Sequence, residues 1–175
     1  SFTALTDADV RVLSLLPQLT ELDISMTEAT KECITILRDK KRKSLRSLAI
    51  IAMPLDEPAL VKLSEFEALQ SLSIGDASIT DKSLKSIAGM RLKRLAVYSS
   101  QITANGLKDL PVKGGLTDLC LFGCPIGDEG VANLKELKSL NTIDLRCTAI
   151  SDRGLGILSG MTSLKRVLIG GNELS

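Results

Sequence analysis

The sequence predicts an α/β solenoid. We expect a curved, right-handed array with a parallel sheet of about seven strands on its concave side and short helices or helical turns on its convex side. Three observations support this fold class. An L-x-x-L-x-L pattern recurs seven times, and an aliphatic pair at helical spacing follows it in most repeats. Because only four of the 175 residues are aromatic, leucine, isoleucine and valine must build the core.

The spacing of the repeats is nearly constant. Successive starts lie 26, 24, 23, 24, 24 and 24 residues apart. Chance does not hold such a register over the whole chain, and a fixed period of this length is typical of solenoids. The seven repeats start at Leu19, Leu45, Leu69, Leu92, Leu116, Leu140 and Leu164.

Each repeat contains one predicted strand. In Leu92-Leu95-Val97 and its equivalents, the last two aliphatic residues alternate with other residues. This period of two places the aliphatic side chains on one face of a strand and the residues between them on the other face.

Each repeat also contains one predicted helix or helical turn. Pairs such as Leu155 and Leu158 have helical spacing. Thr80 and Ser151 can cap these helices, and the aspartate that follows each of them is favoured by the helix dipole. In the second repeat, Pro54 and Pro58 predict an extended segment or a single turn rather than a regular helix.

We assign residues 1–175 to a single domain of stacked repeats. Leu5-Thr6-Asp7 aligns with Ile150-Ser151-Asp152, so residues 1–18 are interpreted as the convex half of a preceding repeat or as an N-terminal helix. Neither end of the chain reads as the polar cap that shields such arrays. The chain is therefore expected to be a fragment of a longer array, or to self-associate through an uncapped end.

Residues 5–175 resemble leucine-rich repeat proteins. The segments 126–131 and 150–155, which read I-(T/S/G)-D-x-G-(L/V), are similar to repeats of the ribonuclease-inhibitor-like, F-box-associated and GALA-type subgroups. The turn position departs from these subgroups, because cysteine occurs there only as Cys124 and asparagine only as Asn172. The resemblance implies a scaffold for protein–protein interaction. The alternative is a structural or substrate-recognition segment of a ubiquitin-ligase adaptor or bacterial effector, without an independent partner.

Composition limits the partners and the location. Lys plus Arg number 22 and Asp plus Glu number 21, so no general nucleic-acid or membrane partner is indicated. There is no long apolar segment and no signal-peptide pattern at the N-terminus. Four cysteines without C-x-x-C spacing predict free thiols in a cytoplasmic or otherwise intracellular compartment. Cys124 and Cys147 are expected to be small buried residues in turns, and Cys33 to lie on the first helix.

The sequence indicates a protein that is not an enzyme. It contains no histidine, which excludes Ser-His-Asp and Cys-His catalytic arrangements. The cysteines do not cluster with histidine, so no metal site is predicted. No Gly-rich phosphate loop joins a strand to a helix, so no cofactor site is predicted. Cys120, on the concave face, is interpreted as an unreactive thiol.

The predicted binding site lies on the concave face. Tyr98 and Phe122 occupy equivalent positions in neighbouring repeats, and both are expected to face solvent. Aromatic residues ringed by charges are typical of interaction hot spots. The alternative is that the two rings pack across strands and only stabilise the fold. The candidate partner-binding residues are Arg94, Tyr98, Asp118, Phe122, Asp144 and Arg146.

Overall fold

A computed structural model describes residues 4–110 and 112–175. Residues 1–3 and Pro111 lie outside this part. Residues 1–3 include Phe2 and begin the predicted segment 1–18. The described chain alternates strands with helices. Its strands are β1 (Glu21–Asp23), β2 (Ser47–Ile51), β3 (Ser71–Gly75), β4 (Arg94–Tyr98), β5 (Asp118–Cys120), β6 (Thr142–Asp144) and β7 (Arg166–Leu168). Its helices are α1 (Asp7–Leu13), α2 (Glu32–Lys41), α3 (Glu57–Ser64), α4 (Asp81–Ile87), α5 (Gly127–Asn133) and α6 (Asp152–Leu158), with 3-10 turns at Gly106–Asp109 and Val112–Gly114.

The strands form one parallel sheet in sequence order, from β1 to β7. Equivalent positions pair across each boundary, so Leu95 lies opposite Leu72 on one side and Leu119 on the other. The carbonyl of the residue before each strand fixes this register. For example, the Thr20 carbonyl accepts hydrogen bonds from the Arg46 and Ser47 amides at 2.7 and 3.0 Å. The predicted α/β solenoid is confirmed.

The core is a continuous aliphatic layer between the sheet and the helices. Leu95 and Val97 in β4 are buried, whereas Arg94 at the start of the same strand is exposed and Ala96 is half-buried. Phe66 is the one aromatic residue in this core within the described ranges. Leucine and isoleucine therefore fill the interior, as the scarcity of aromatic residues predicts.

The chain leaves most strands through a residue in the left-handed region. Met26, Ala52, Ser99 and Cys147 have φ between 46° and 62°, and Gly123 and Gly171 occupy the same repeat position. The next residue turns into the core, where Cys124 is buried as predicted. The expectation that Cys147 is buried is wrong, because Cys147 lies one repeat position earlier than Cys124, on the exposed outside of the turn.

Side-chain hydroxyl and amide groups form hydrogen bonds with the backbone groups that these turns leave unpaired. Thr148 Oγ donates to the Leu145 carbonyl at 2.6 Å, and Thr27 Oγ donates to the Ile24 carbonyl at 2.8 Å. Asn172 donates to the same Leu145 carbonyl and accepts from the Thr148 amide. Thr27 and Thr148 thus bind backbone carbonyls at the turn position as Asn172 does in the last repeat.

The helix caps agree with the sequence, but the convex side of the second repeat does not. Thr80 forms a capping box with Ser83, and Ser151 accepts a hydrogen bond from the Arg153 amide. The prediction that the second repeat lacks a regular helix is wrong, since α3 spans eight residues. Pro58 lies in its first turn, where the missing amide costs no helical hydrogen bond, and Asp56 caps the helix.

A side-chain contact that we call the aspartate clasp joins neighbouring repeats. The first-turn aspartate of one helix accepts two hydrogen bonds from a serine or threonine of the next repeat. In the Asp128 clasp, the Ser151 amide and hydroxyl donate at 2.9 and 2.7 Å. The same pattern joins Asp7 to Thr30, Asp81 to Thr103 and Asp152 to Ser175.

Among the described residues, no helix is both long enough and apolar enough to cross a membrane.

The Asp128 clasp makes stability depend on pH. The hydrogen bonds from Ser151 hold the pKa of Asp128 below its ordinary value of 3.8. The clasp therefore stabilises the fold above that value, and this contribution is lost as the pH falls through the lower pKa of the folded state. We expect Asp128→Asn to lower the urea midpoint at neutral pH, and the gap to wild type to narrow as the pH falls below 3.8.

The control is Glu129→Gln, which removes a neighbouring exposed charge from the same helix. Glu129 makes no side-chain hydrogen bond within the described ranges. A gap between Asp128→Asn and wild type that stays constant with pH, or that Glu129→Gln reproduces, would contradict the clasp.

The cysteines are expected to differ in reactivity. Burial raises the pKa of the Cys33 thiol to about 12, with Asp7 and Glu32 contributing, and burial also raises the pKa of Cys124. Because the thiolate is the reactive form, only exposed Cys147 should react rapidly with iodoacetamide in the native protein. Timed labelling followed by peptide mass spectrometry checks this order, and labelling in urea should reach all four cysteines. Native labelling of Cys33 as fast as Cys147 would show that the core opens readily.

Candidate functional site

The candidate site lies on the face of the sheet opposite the helices. We call this the open sheet face. It consists of the side chains that alternate with the core leucines, from Glu21 in β1 to Leu168 in β7. These side chains are mostly exposed or half-buried, because the helices of the described chain cover only the other face.

An aromatic pair occupies the C-terminal ends of two neighbouring strands. Tyr98 is the last residue of β4, and Phe122 follows shortly after β5. Their ring centroids are 6.5 Å apart, and their planes are tilted by 47°. Gly75 makes room for this arrangement, since a Cβ at that position would lie 2.7 Å from the Cβ of Tyr98. Both rings are half-buried, so each keeps part of its surface available to a partner.

A buried aspartate positions a cation over one ring of this pair. The Arg146 guanidinium lies 5.2 Å from the centroid of the Phe122 ring, within cation–π range. The same guanidinium donates to Asp144, with Nη2 to Oδ2 at 2.7 Å and Nε to Oδ1 at 3.0 Å. The Arg146 amide also donates to Oδ1 of Asp144 at 3.1 Å. Arg146 is therefore oriented before any partner arrives.

Asp144 positions Arg146 rather than presenting a charge to solvent. The sequence predicts a surface charge beside the aromatic pair at this position, but only 7% of the residue is exposed. Burial raises the pKa of Asp144, yet the hydrogen bonds and charge of Arg146 outweigh that effect, and the pKa lies below its ordinary value. The carboxylate remains ionised at neutral pH and keeps Arg146 in place.

Arg94 and Asp118 lie at the opposite ends of the strands. Their side chains approach to 3.8 Å across β4 and β5, and Arg94 is largely exposed whereas Asp118 is half-buried. An exposed pair at this distance contributes little to stability. The six predicted residues thus form two groups. Tyr98, Phe122, Asp144 and Arg146 cluster at the C-terminal strand ends, and Arg94 and Asp118 mark the N-terminal ends.

A shallow groove of about 260 Å³ runs between the two groups. Tyr98, Asp144, Arg94 and Asp118 all border it, and Cys120 lies in its floor. The Cys120 thiol is 3.7 Å from Asp144, and burial raises its pKa, so it is a poor nucleophile. Within the described ranges, histidine, cysteine and carboxylate side chains form no cluster that could hold a metal ion.

Comparison with known proteins supports the fold. The family model described as "Leucine Rich repeat" matches residues 116–135, about one repeat of the array. A comparison with curated proteins gives no match. Among solved structures, the chain is similar to TLR13 in a crystal structure of its complex with ssRNA13. The identity is 22% and the TM-score 0.65, and the match covers 93% of this chain but 24% of that one.

A second similar structure is internalin C2 from Listeria monocytogenes. It is 20% identical with a TM-score of 0.65, and the match covers 100% of this chain and 70% of that one. By contrast, the chain spans only about a quarter of the length of the TLR13 chain. At these identities the likeness concerns the fold and does not identify the repeat subgroup. The repeated pattern, the seven-stranded sheet and these comparisons together identify the chain as a leucine-rich repeat solenoid.

Proposed function

We propose that the chain is a protein-binding scaffold whose partner docks on the open sheet face, with Tyr98 and Phe122 as its anchors. The observation that carries this proposal is the pre-oriented cluster at the C-terminal strand ends. Two rings keep exposed surface there, and Arg146 is fixed over one of them by a buried carboxylate. Repeat solenoids commonly use the strand-lined face for binding.

The composition of this cluster favours binding over packing. The chain has one tyrosine and three phenylalanines, and the core is built almost entirely of aliphatic residues. Tyr98 and Phe122 are therefore not needed to fill the interior. Tyrosine and arginine are enriched at interaction hot spots, where rigid aromatic surface is buried at low entropic cost. A ring already held in place loses less freedom on binding than a mobile one.

The remaining observations support a non-catalytic, intracellular role. The absence of histidine removes the commonest general acid and base, and the raised pKa of Cys120 argues against a thiol nucleophile. The free cysteines are compatible with a reducing compartment. The short match relative to the TLR13 chain is compatible with a chain that works as one part of a longer array.

The double variant Tyr98→Ala/Phe122→Ala tests the anchors. We expect it to unfold cooperatively, because both rings lie outside the buried core. In affinity capture from the source cell followed by quantitative mass spectrometry, the proteins enriched by wild type should fall at least about tenfold, since hot-spot truncations cost about 2 kcal/mol or more.

The matched control is Leu15→Ala/Val61→Ala, which removes exposed apolar side chains away from the open sheet face. This control should capture the same proteins as wild type. Undiminished capture by the Tyr98→Ala/Phe122→Ala variant would assign the two rings to cross-strand packing alone.

A further inference from the structure

A row of cations lies along the N-terminal ends of the strands. Of the residues immediately before and at the start of the seven strands, five are basic, and two, Glu21 and Asp118, are acidic. We call the five basic residues the basic edge. They are Arg46, Lys93, Arg94, Lys165 and Arg166.

This edge departs from the charge balance of the whole chain. The chain carries a net charge of only +1, yet all five cations are exposed along one margin of the open sheet face. Of these five residues, only Arg94 makes an ion pair within the described ranges, with Asp118 at 3.8 Å. Cations that lack an intramolecular counterion remain available to an anionic partner.

A polar groove lies within the basic edge. It has a volume of about 380 Å³, and Arg46, Lys93 and Arg94 line it. Ser47 and Thr117 also line it. The guanidinium and ammonium groups and the Ser47 hydroxyl can donate hydrogen bonds to carboxylates, and charge-assisted hydrogen bonds are stronger than neutral ones. The groove therefore suits a ligand with several negatively charged groups rather than an apolar one.

The spacing of the cations indicates the form of that ligand. Arg46 precedes β2 and Arg94 begins β4, so two strand intervals, or roughly 10 Å, separate them along the sheet. An extended peptide in the polyproline II conformation has three residues per turn and rises about 3.1 Å per residue, so carboxylates three residues apart share one face, lie about 9 Å apart and would match them.

We propose that the basic edge binds an extended acidic segment of the partner protein, with carboxylates about three residues apart near Arg46 and Arg94. This inference rests on the proposed function, because the segment belongs to the partner that docks on the open sheet face. A peptide fits better than a nucleic acid. Glu21 at the groove and Asp118 beside it would repel a continuous phosphate backbone, and no aromatic residue lines the groove to stack on bases.

Fluorescence anisotropy with a labelled peptide of Glu-Gly-Ser repeats tests the proposal. A Gln-Gly-Ser peptide is the uncharged control. The variant Arg46→Gln/Lys93→Gln/Arg94→Gln should weaken binding of the glutamate peptide about tenfold or more. The free energies contributed by three exposed charge contacts add up to about that change in affinity. Binding should also weaken with added salt.

The matched control variant is Lys82→Gln/Lys85→Gln/Arg153→Gln, which removes the same charge from exposed positions on α4 and α6. It should bind the glutamate peptide like wild type. Equal loss in this control, or equal binding of both peptides, would overturn the proposal. Tighter binding of a single-stranded oligonucleotide of equal charge, lost in the basic-edge variant, would also overturn it in favour of a nucleic-acid site.

The aromatic variant separates this inference from the proposed function. Tyr98→Ala/Phe122→Ala should still bind the glutamate peptide, because the basic edge lies at the other ends of the strands. If that variant keeps full capture of cellular proteins while the basic-edge variant loses the peptide, the role of the aromatic anchors is contradicted and the peptide site at the basic edge is supported. If the aromatic variant loses capture but the peptide does not bind, the proposed function stands and the basic edge fails.

Discussion

The structure depends on one constraint: a single repeat cannot bury its own leucines. Leu95 is fully buried only because Leu72 and Leu119 lie beside it in the neighbouring strands and the helices cover it from one side. Burial of this kind contributes about 25 cal/mol per Å² of apolar surface, and every interior repeat relies on its neighbours for it. The nearly constant spacing, the parallel register and the uncovered sheet face all follow from this requirement.

Polar groups then fix how the repeats stack. Backbone carbonyls such as that of Thr20 bind two amides of the next repeat, and the aspartate clasp adds a side-chain contact near the helix starts. At the boundary between the fourth and fifth repeats, Ala104 and Gly127 replace the clasp residues, and 3-10 turns replace the helix. With the core and the boundaries occupied by stacking, the side chains of the open sheet face are free to serve recognition.

The regular spacing of the aliphatic residues is enough to predict the fold, because it indicates which side chains face the core. Periodicity does not predict features that depend on position within a turn or on a contact across repeats. Pro58 is compatible with α3 because it lies in the first turn, and Cys147 is exposed because it precedes the buried turn position by one residue. The aspartates were predicted only to favour the helix dipole, since their serine and threonine partners lie 22 or 23 residues away. Likewise, the burial of Asp144 depends on its neighbours in three dimensions.

Site-specific photo-crosslinking tests most directly whether a protein partner covers the open sheet face. A benzophenone amino acid would be placed at Ser73 or Thr142, which flank the groove on the open sheet face, and at Val61 on α3 as the comparison. We predict that the two sheet positions form crosslinks to the same captured protein and that position 61 does not. Crosslinking from position 61, with none from Ser73 or Thr142, would contradict the account.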